Sequence, residues 1–333
     1  MQKAIVLINV GTPDTPKTKD VRPYLREFLG DKRVIDIPTI PRWILVNLII
    51  APFRTPKSAK LYDQLWTEKG SPLRYISEDL AQKMQQLVDE NTGVSVAMRY
   101  GNPSIKHVLE KALQQQPDEL IIVPLYPHYA ESTTGTVVES CFEYLKKQVV
   151  IPKIKVVGQF YEHPAFIEAF RQKISSFQPE EYDHILFSYH GLPESHIKRI
   201  HPENAIESCN CQQEMPAYGK HCYRATCYAT TRLLQAACDI PEHNSSVAFQ
   251  SRLTKKWLRP FADEQVVELA KKGVKKLLVV APAFVTDCLE TSVEIGIEYE
   301  ELFKKYGGEK LQLVSSLNAE TYWAEGLLEI IDT

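Results

Sequence analysis

Two residues with side chains suited to metal and proton chemistry follow apolar segments of strand length. His190 comes directly after Ile185–Tyr189, and Glu290 follows the apolar run Leu277–Ala281 at a short distance. A neutral imidazole can bind a metal or accept a proton near neutral pH, and a carboxylate is a hard oxygen ligand. Each also has a structural explanation. His190 could be a structural residue whose hydrogen bonds are satisfied, and Asp287 and Glu290 have the spacing of a helix N-cap and its N3 partner. The residues alone leave both explanations open.

Further carboxylates continue from Glu290 along the predicted helix Leu289–Tyr306. Glu290, Glu294 and Glu298 recur every four residues, which places them in one row along a helix. Such a row is either a solvated helix face or a series of exchangeable oxygen ligands that pass a hydrated divalent cation toward a pocket. The sequence does not separate these two explanations.

Four of the seven cysteines lie close together, at Cys209, Cys211, Cys222 and Cys227. Four thiolates are enough to hold one tetrahedral metal ion or a [2Fe-2S] cluster. The spacing fits none of the common zinc patterns well, yet a structural zinc site with four cysteine ligands stays possible. Separate thiols or disulfides are the remaining alternative.

The composition is that of a globular protein with room for two cores, at 333 residues, 44% hydrophobic and 24% charged. A formal net charge of -3 provides no basic surface for a phosphate backbone, so we exclude nucleic acid as a partner.

The most apolar window, Trp43–Phe53, is much shorter than the ~20 residues of a membrane span. No glycine-rich phosphate-binding pattern follows a candidate strand.

Apolar runs rich in Val and Ile alternate with longer stretches of helical periodicity, which predicts βαβ units and parallel sheets. The predicted strands are Ala4–Asn9, Val94–Met98, Leu120–Pro124, Ile154–Val157, Ile185–Tyr189, Ser246–Gln250, Leu277–Ala281 and Leu311–Val314. The predicted helices include Val137–Lys147, Ala225–Ala237, Asp263–Lys272 and Leu289–Tyr306.

The two halves of the chain also resemble each other. Three segments recur in the same order: Asn9–Asp14 and Tyr189–Glu194, Val96–Met98 and Val247–Phe249, and Leu120–Pro124 and Leu277–Pro282. We therefore predict a duplicated α/β unit, with an N-terminal lobe over residues 1–155 and a C-terminal lobe over residues 156–333. Ligands of such sheets bind at the carboxyl ends of the strands, so we expect a cleft between the lobes.

Several segments of the chain are similar to the signature segments of ferrochelatases. They are Ser188–Pro193, Phe249–Arg252 and Asp287–Thr291, together with Leu7–Pro13, Gly70–Leu73, Arg99–Gly101 and Pro124–Pro127. They cover nearly the whole chain in order. The resemblance implies two similar Rossmann-like lobes of the flavodoxin type, with parallel sheets and the porphyrin in the cleft between them. It also implies an enzyme of haem biosynthesis that inserts Fe²⁺ into the porphyrin.

The resemblance implies roles for individual residues. His190 is implied as the acceptor of the pyrrole protons and Glu290 as the ligand of the incoming Fe²⁺, although which of them touches iron first stays open. Glu294 and Glu298 are implied as a path for the metal, on a helix with an irregularity of the π type. The implied substrate-binding residues are Arg99, which could pair with a propionate, Tyr126 and Asp287.

The resemblance also implies functions for two further segments. His190 and Glu290 are farther apart in sequence than in relatives without a cluster, so the segment of about 203–227 is interpreted as an insertion that holds a [2Fe-2S] cluster. Structural zinc is the alternative. Residues 41–53 are implied as an apolar lip that grips the macrocycle and touches lipid, with a buried core helix as the alternative. We expect a cytoplasmic protein that could contact the inner face of the membrane, and the oligomeric state stays open.

Protoporphyrin IX is the predicted porphyrin, because relatives that use coproporphyrin tend to carry tyrosine where this chain has Asp14. Coproporphyrin III is the alternative substrate. A cobalt or nickel chelatase for sirohydrochlorin would share the fold, but it would not explain the segment Asp287–Thr291. A haem-binding redox sensor is the rival from another class, and it would bind porphyrin or haem without turnover.

Overall fold

The structure is a computed structural model that describes residues 2–201 and 206–333. It divides into two compact units. The first comprises Met1–Tyr126, Ala130–Gly158 and Ala319–Thr333, and the second comprises Pro127–Tyr129 and Gln159–Asn318. The first residues of the predicted insertion, 203–205, lie outside the described residues.

Each unit is built on a parallel sheet of four strands, and the strand order is the same in both. The order is β2-β1-β3-β4 in the first unit and β6-β5-β7-β8 in the second. The strands are β1 (Lys3–Thr12), β2 (Thr92–Gly101), β3 (Glu119–Pro124), β4 (Lys153–Val156), β5 (His184–His190), β6 (Ser245–Gln250), β7 (Lys276–Val280) and β8 (Lys310–Leu313). All the predicted strands are present, and the shared order confirms the predicted duplication.

Helices connect the strands. The α-helices are α1 (Thr18–Gly30), α2 (Thr39–Ile44), α3 (Ala51–Leu65), α4 (Pro72–Leu87), α5 (Ile105–Gln114), α6 (Thr136–Leu145), α7 (Pro164–Ser175), α8 (Glu194–Lys198), α9 (Tyr223–Ala237), α10 (Ala262–Lys271), α11 (Glu300–Lys305) and α12 (Thr321–Asp332). Segments of π-helix are π1 (Leu45–Ile50), π2 (Glu131–Gly135) and π3 (Glu290–Tyr299). Short 3₁₀ turns occupy Pro179–Glu181, Gly219–His221 and Glu242–Asn244.

The sheet of the second unit fixes the position of π3. Leu186, Leu277 and Val279 of the sheet are buried in one cluster with Ile295 and Tyr299 of π3. Parallel strands covered by helices are apolar along their whole length, which explains the continuous Val and Ile runs in the sequence. Burial of these two π3 side chains leaves the acidic residues of π3 on its other sides.

The glycines of the duplicated segment are required by close approach of the neighbouring strand. A Cβ atom on Gly11, whose φ is +107°, would lie 1.8 Å from the carbonyl oxygen of Tyr100. At the equivalent position, a Cβ atom on Gly191 would lie 2.8 Å from the carbonyl oxygen of Gln250. Any side chain would collide with these carbonyl groups. The shared glycine therefore lies where the neighbouring strand approaches most closely in each unit.

Helix α12 belongs to the first unit, although it follows the second unit in sequence. It packs on α4, and the side chain of Trp323 is fully buried. The ammonium group of Lys155 donates a 2.6 Å hydrogen bond to the carbonyl oxygen of Ile331. Apolar burial and this bond together attach the helix to the sheet of the first unit.

The predicted lip, residues 41–53, runs through α2 and π1 into the start of α3. Val46 and Ala51 are buried, but Trp43 is 58% exposed, Leu48 57% and Phe53 81%. The alternative of a buried core helix is therefore wrong. Within the described residues, no helix combines the length and the hydropathy needed to cross a membrane.

Candidate active site

His190 is the last residue of β5 and pairs with Gln250 of β6. Its Nδ1 atom lies 2.6 Å from the carbonyl oxygen of Gly191. A carbonyl oxygen can only accept, so Nδ1 carries a hydrogen, and whenever the ring is neutral its lone pair is on Nε2. The ring is half-buried, and its centroid lies 6.3 Å from those of both Trp257 and Phe284. The structure thus presents one imidazole nitrogen as a base or ligand.

The backbone around His190 is held from two sides. The amide of Gly191 donates a 2.8 Å hydrogen bond to the carbonyl oxygen of Gln250. The hydroxyl of Tyr223 donates a 2.9 Å hydrogen bond to the carbonyl oxygen of His190. No sequence pattern singled out Tyr223, because its role depends on a contact across elements.

Gln250 links His190 to Glu290. Its side chain is almost fully buried, and its Oε1 atom accepts a 2.6 Å hydrogen bond from the hydroxyl of Ser188. Its Nε2 atom donates a 3.0 Å hydrogen bond to the carbonyl oxygen of Glu290. One residue therefore joins the end of β5 to the first residue of π3. Sequence reasoning missed this role, although Gln250 lies within a segment that carried the family resemblance.

Glu290 begins π3, and the predicted π-type irregularity of this helix is confirmed. The alternative explanation of Asp287 as the helix cap is wrong. The Asp287 carboxylate instead accepts hydrogen bonds from the amide of Ser316, at 2.9 Å, and from Nδ2 of Asn318, at 2.7 Å. At the helix start, the hydroxyl of Thr291 accepts a 2.9 Å hydrogen bond from the amide of Cys288. Asp287 thus anchors a loop rather than the helix.

Glu294 lies in the electrostatic field of both catalytic candidates. Its carboxylate accepts hydrogen bonds from the amide of Ser251 at 2.9 Å, the hydroxyl of Ser251 at 2.5 Å and the hydroxyl of Tyr299 at 2.8 Å. Burial raises the pKa of Glu294, the hydrogen bonds and the charge of His190 oppose that rise, and the charge of Glu290 adds to it. His190, Glu290 and Glu294 therefore form one interacting group.

The predicted row of carboxylates passes from this group toward solvent. Glu290 and Glu294 are half-buried, whereas Glu298 is exposed. Among the residues with described positions, no three His, Cys, Asp or Glu side chains converge as a preformed metal site. The row therefore places carboxylate oxygens from the exposed Glu298 inward to the half-buried Glu294 and Glu290.

Glu294 should make the stability of the protein depend on pH. Because its pKa is raised in the folded state, the folded protein holds this proton at pH values where the unfolded chain has lost it. The resulting stabilisation is complete below the unfolded pKa and disappears as the pH rises through the folded pKa. Over that interval, we expect the free energy of unfolding to fall more steeply for the parent than for Glu294→Gln. Urea denaturation across a pH series measures this, and parallel curves would contradict the assignment.

The four clustered cysteines are free thiols in the second unit. Cys211, Cys222 and Cys227 are buried, and Cys209 is half-buried. Burial raises the pKa of Cys211 to about 12, and the charges of Cys209 and Cys222 contribute to the rise. Burial also raises the pKa of Cys227, with contributions from Cys222 and Cys211. The thiols are therefore close enough to influence one another.

Polar groups surround these thiols. The hydroxyl of Tyr218 donates a 3.3 Å hydrogen bond to Sγ of Cys209, and Nε2 of His201 lies 3.5 Å from Sγ of Cys222. The positive charge of Arg224 opposes the rise in the pKa of Cys211. These groups could stabilise thiolates in a segment that otherwise favours neutral thiols.

The other predicted substrate-binding residues lie in the first unit. Nη2 of Arg99 donates a 2.6 Å hydrogen bond to the carboxylate of Asp31, and its Nε donates a 2.6 Å hydrogen bond to the hydroxyl of Thr136. Tyr126 is half-buried just beyond the end of β3. The guanidinium of Arg99 is thus engaged within its own unit.

Comparison with known proteins extends over the whole chain. The family model described as ferrochelatase matches residues 2–333. The ferrochelatase of Legionella pneumophila (strain Lens) is 43% identical over 335 residues, with 100% of this chain and 99% of the relative covered. The ferrochelatase of Coxiella burnetii (strain Dugway 5J108-111) is 41% identical over 333 residues, with coverage of 98% and 92%.

A solved structure supports the fold. The sirohydrochlorin chelatase SirB from Bacillus subtilis subspecies spizizenii, in complex with cobalt, matches with a TM-score of 0.54 and 12% identity. The match covers 100% of this chain and 94% of that protein. At this identity the likeness concerns the fold alone. It confirms the predicted α/β chelatase architecture with Rossmann-like units.

Proposed function

This chain belongs to the ferrochelatase family, and from that premise we propose that His190 and Glu290 carry its reaction. The enzyme is a metal-chelating lyase that inserts Fe²⁺ into a porphyrin in haem biosynthesis. The observation that carries the residue assignment is the Nε2 atom of His190, which makes no hydrogen bond to the described residues, while Nδ1 binds the carbonyl oxygen of Gly191 and Glu294 interacts with both His190 and Glu290. Family membership favours this activity over the sirohydrochlorin chelatase and the haem-binding sensor.

The proposed roles follow from proton and charge balance. A porphyrin loses two pyrrole protons when one divalent metal enters, so a base must lie near the ring nitrogens. Nε2 of His190 is the proposed base, because its lone pair accepts no hydrogen bond from the part of the chain that the structure describes. Glu290 is the proposed ligand for incoming Fe²⁺, a substrate of the reaction. Glu294 and Glu298 extend the oxygen ligands from Glu290 toward solvent, which supports their role as a metal path.

We propose protoporphyrin IX as the porphyrin. The carboxylate of Asp14, the residue on which this preference rests, accepts hydrogen bonds of 3.0 and 3.1 Å from Nδ2 of Asn102. Anaerobic initial rates of Fe²⁺ insertion should give a higher kcat/KM with protoporphyrin IX than with coproporphyrin III. Asp14→Tyr should narrow the difference, whereas Asp14→Asn, which keeps the size of the side chain, should preserve it. A higher kcat/KM with coproporphyrin III would overturn the proposal.

The substrate-binding roles of Arg99, Tyr126 and Asp287 stay predictions. Arg99 pairs with Asp31, and the Asp287 carboxylate accepts two hydrogen bonds from the segment of residues 316–318. Both charged groups therefore have partners without substrate. Tyr126 is half-buried and follows a strand end, the position expected of a ligand contact in such sheets.

We propose that Cys209, Cys211, Cys222 and Cys227 hold a [2Fe-2S] cluster. The proposal is supported by the burial of three of the thiols and by the effect of neighbouring thiols on one another's pKa. Among the described residues the four thiols do not converge as a preformed metal site, so the cluster would have to draw them together. Bound iron would neutralise the thiolate charges that burial disfavours. When bound, the cluster would cross-link a segment that contains little regular structure, and Fe²⁺ insertion needs no electron from it.

Metal analysis tests the cluster. Anaerobically purified protein should contain about two iron and two sulfide ions per chain and absorb visible light. Cys227→Ser should lose the iron and the absorption, whereas Cys238→Ser, a matched change in the same unit, should keep both. About one zinc per chain with no sulfide would establish the alternative, a zinc site with four cysteine ligands. Protein that contains no metal, and whose seven cysteines all titrate as free thiols after denaturation, would contradict both.

We propose peripheral membrane contact through the lip, residues 41–53, in a protein located in the cytoplasm. Trp43, Leu48 and Phe53 expose large apolar side chains on one short segment, and such residues insert into lipid at the level of the headgroups. An apolar surface also suits a poorly soluble porphyrin. Flotation with lipid vesicles, compared between the parent and Phe53→Asp, tests the contact.

A further inference from the structure

The lip, residues 41–53, buries too little apolar surface to be held in place by packing alone. Across the fully described range 39–50, Val46 is the only buried residue, and α2 buries none. Most of the stability of a helix in a protein comes from packing of its apolar side, so one side chain provides little of it. The far end of the lip continues into α3, where Ala51 is buried. Its near end depends on residues 31–38, the root, which connect α1 to α2.

The carboxylate of Asp31 is the main hydrogen-bond acceptor of the root. Its Oδ2 atom accepts hydrogen bonds from Nη2 of Arg99 at 2.6 Å, from the hydroxyl of Tyr100 at 2.9 Å and from the hydroxyl of Thr136 at 2.6 Å. Its Oδ1 atom accepts a 2.8 Å hydrogen bond from the amide of Arg33. Only 8% of the Asp31 side chain is exposed. The donors belong to β2, to the first residue of α6 and to the root itself, so one carboxylate joins all three.

The donors are bound to one another as well as to Asp31. The hydroxyl of Thr136 gives its single hydrogen to Asp31, so it accepts the 2.6 Å hydrogen bond from Nε of Arg99. The guanidinium of Arg99 also lies over the ring of Tyr100, 4.4 Å from the centroid. Burial alone would raise the pKa of Asp31, but these hydrogen bonds and the charge of Arg99 lower it. Asp31 is therefore a charged acceptor, and hydrogen bonds to charged groups are stronger than those between neutral groups.

A second and more exposed set of ion pairs also attaches the root to α6. The carboxylate of Glu139, on the first turn of α6, lies 2.7 Å from Nζ of Lys32 and 2.5 Å from Nε of Arg33. The side chain of Glu139 is 31% exposed and that of Lys32 is 62% exposed. Ion pairs in contact with solvent contribute little to stability. The buried hydrogen bonds of Asp31 are therefore the stronger attachment of the root.

We infer that Asp31 is a positioning residue, whose carboxylate attaches the root to β2 and α6 and thereby keeps the lip in place for the porphyrin. The inference rests on the proposed contact between the lip and porphyrin. The ion pair of Asp31 with Arg99 then serves the lip, and it does so without a contact between Arg99 and a propionate. A lip released at its root adopts other positions, and only the molecules with the lip in place bind porphyrin with full affinity.

Limited digestion with trypsin measures release of the root. Nη1 of Arg42 donates a 2.8 Å hydrogen bond to the carbonyl oxygen of Ile37, so release of the root exposes the bond between Arg42 and Trp43. Asp31→Asn keeps the size of the side chain and removes its charge. It should be cleaved after Arg42 roughly ten- to hundredfold faster than the parent, the equivalent of one hydrogen bond to a charged group. Cleavage after Lys147, an exposed residue beyond α6, should not change. Equal acceleration at both bonds would show a general loosening of the unit and would overturn the inference.

Two further variants provide the comparison for this digestion. Asp63→Asn, a matched change at an exposed position of α3, should be cleaved like the parent. Glu139→Gln removes the exposed ion pairs and should accelerate cleavage after Arg42 by at most about fivefold, as expected for ion pairs at the surface. A larger effect of Glu139→Gln than of Asp31→Asn would assign the attachment to the exposed pairs, and the role of Asp31 would be overturned.

Quenching of porphyrin fluorescence tests the consequence for the substrate. The Kd of Asp31→Asn for protoporphyrin IX should rise severalfold, whereas kcat for Zn²⁺ insertion should match that of the parent, because the occupied site is the same. A rise in Kd without faster cleavage after Arg42 would mean that Asp31 only orients Arg99. Faster cleavage with an unchanged Kd would separate the root from porphyrin binding, and either result would overturn the inference. A parent that binds porphyrin without inserting metal would refute the proposed function, while both measurements would still report on Asp31.

Discussion

His190→Ala is expected to reduce metal insertion by roughly 10²–10⁴-fold, the range for removal of a general base, while the protein still binds porphyrin. The loss follows from the geometry, because Nδ1 of His190 binds the carbonyl oxygen of Gly191, whereas Nε2 has no hydrogen-bond partner among residues 2–201 and 206–333. Stopped-flow or steady-state spectroscopy of anaerobic Fe²⁺ or Zn²⁺ insertion measures the rate. Quenching of porphyrin fluorescence measures binding separately.

Two comparisons sharpen this experiment. His184→Ala removes an imidazole from the opposite end of β5, where it contacts the hydroxyl of Ser246, and should retain most of the insertion rate. Added imidazole should restore part of the rate to His190→Ala by occupying the vacated space, and should not accelerate the parent. Normal insertion by His190→Ala, with circular dichroism like that of the parent, would remove His190 from the mechanism.

Glu290→Gln is expected to lower the rate of insertion by about 10²-fold or more, because a neutral amide replaces a charged ligand of the metal. The change keeps the size of the side chain, and the hydrogen bond from Gln250 goes to the backbone carbonyl of Glu290, so the link to β6 should survive. The rate should be measured over a range of Zn²⁺ concentrations. A defect in metal binding raises the KM for the metal, whereas a defect in later chemistry lowers kcat alone.

Glu301→Gln is the matched control for this second change. Glu301 is exposed on α11, just beyond π3, and carries the same side chain. It should insert metal at the parent rate. If both variants lost activity equally, the effect would come from the general acidity of this helix rather than from Glu290, and the assignment of Glu290 as metal ligand would fail.

The sequence predicted the sheets and the positions of the two main candidates because these depend on local patterns. Continuous Val and Ile runs mark strands that are buried on both faces. The end of β5 locates His190, and Glu290 begins the helix that follows the loop after β7. The equivalence of β1 with β5 could also be predicted from the sequence, because Gly11 and Gly191 recur at matching positions. Each glycine is required by the close approach of a carbonyl group of the neighbouring strand.

Contacts between distant segments could not be predicted in the same way. Asp287 has the spacing of a helix cap, but Asn318, which lies 31 residues further along, binds its carboxylate instead. The roles of Gln250 and Tyr223 likewise depend on hydrogen bonds to residues of other elements. Residue type and local spacing contain no information about such partners. The ion pair between Arg99 and Asp31 could not be predicted for the same reason, because it joins two segments of the first unit that are far apart in sequence.

The position of α12 has a consequence for how the chain folds during synthesis. The first unit needs residues 319–333, including the fully buried Trp323, yet the ribosome makes them only after the whole of the second unit. Until then, the surface of α4 that contacts α12 has no partner. The unit that is synthesised first is therefore completed last, and the second unit, whose residues all precede α12, can acquire its core before the first is closed.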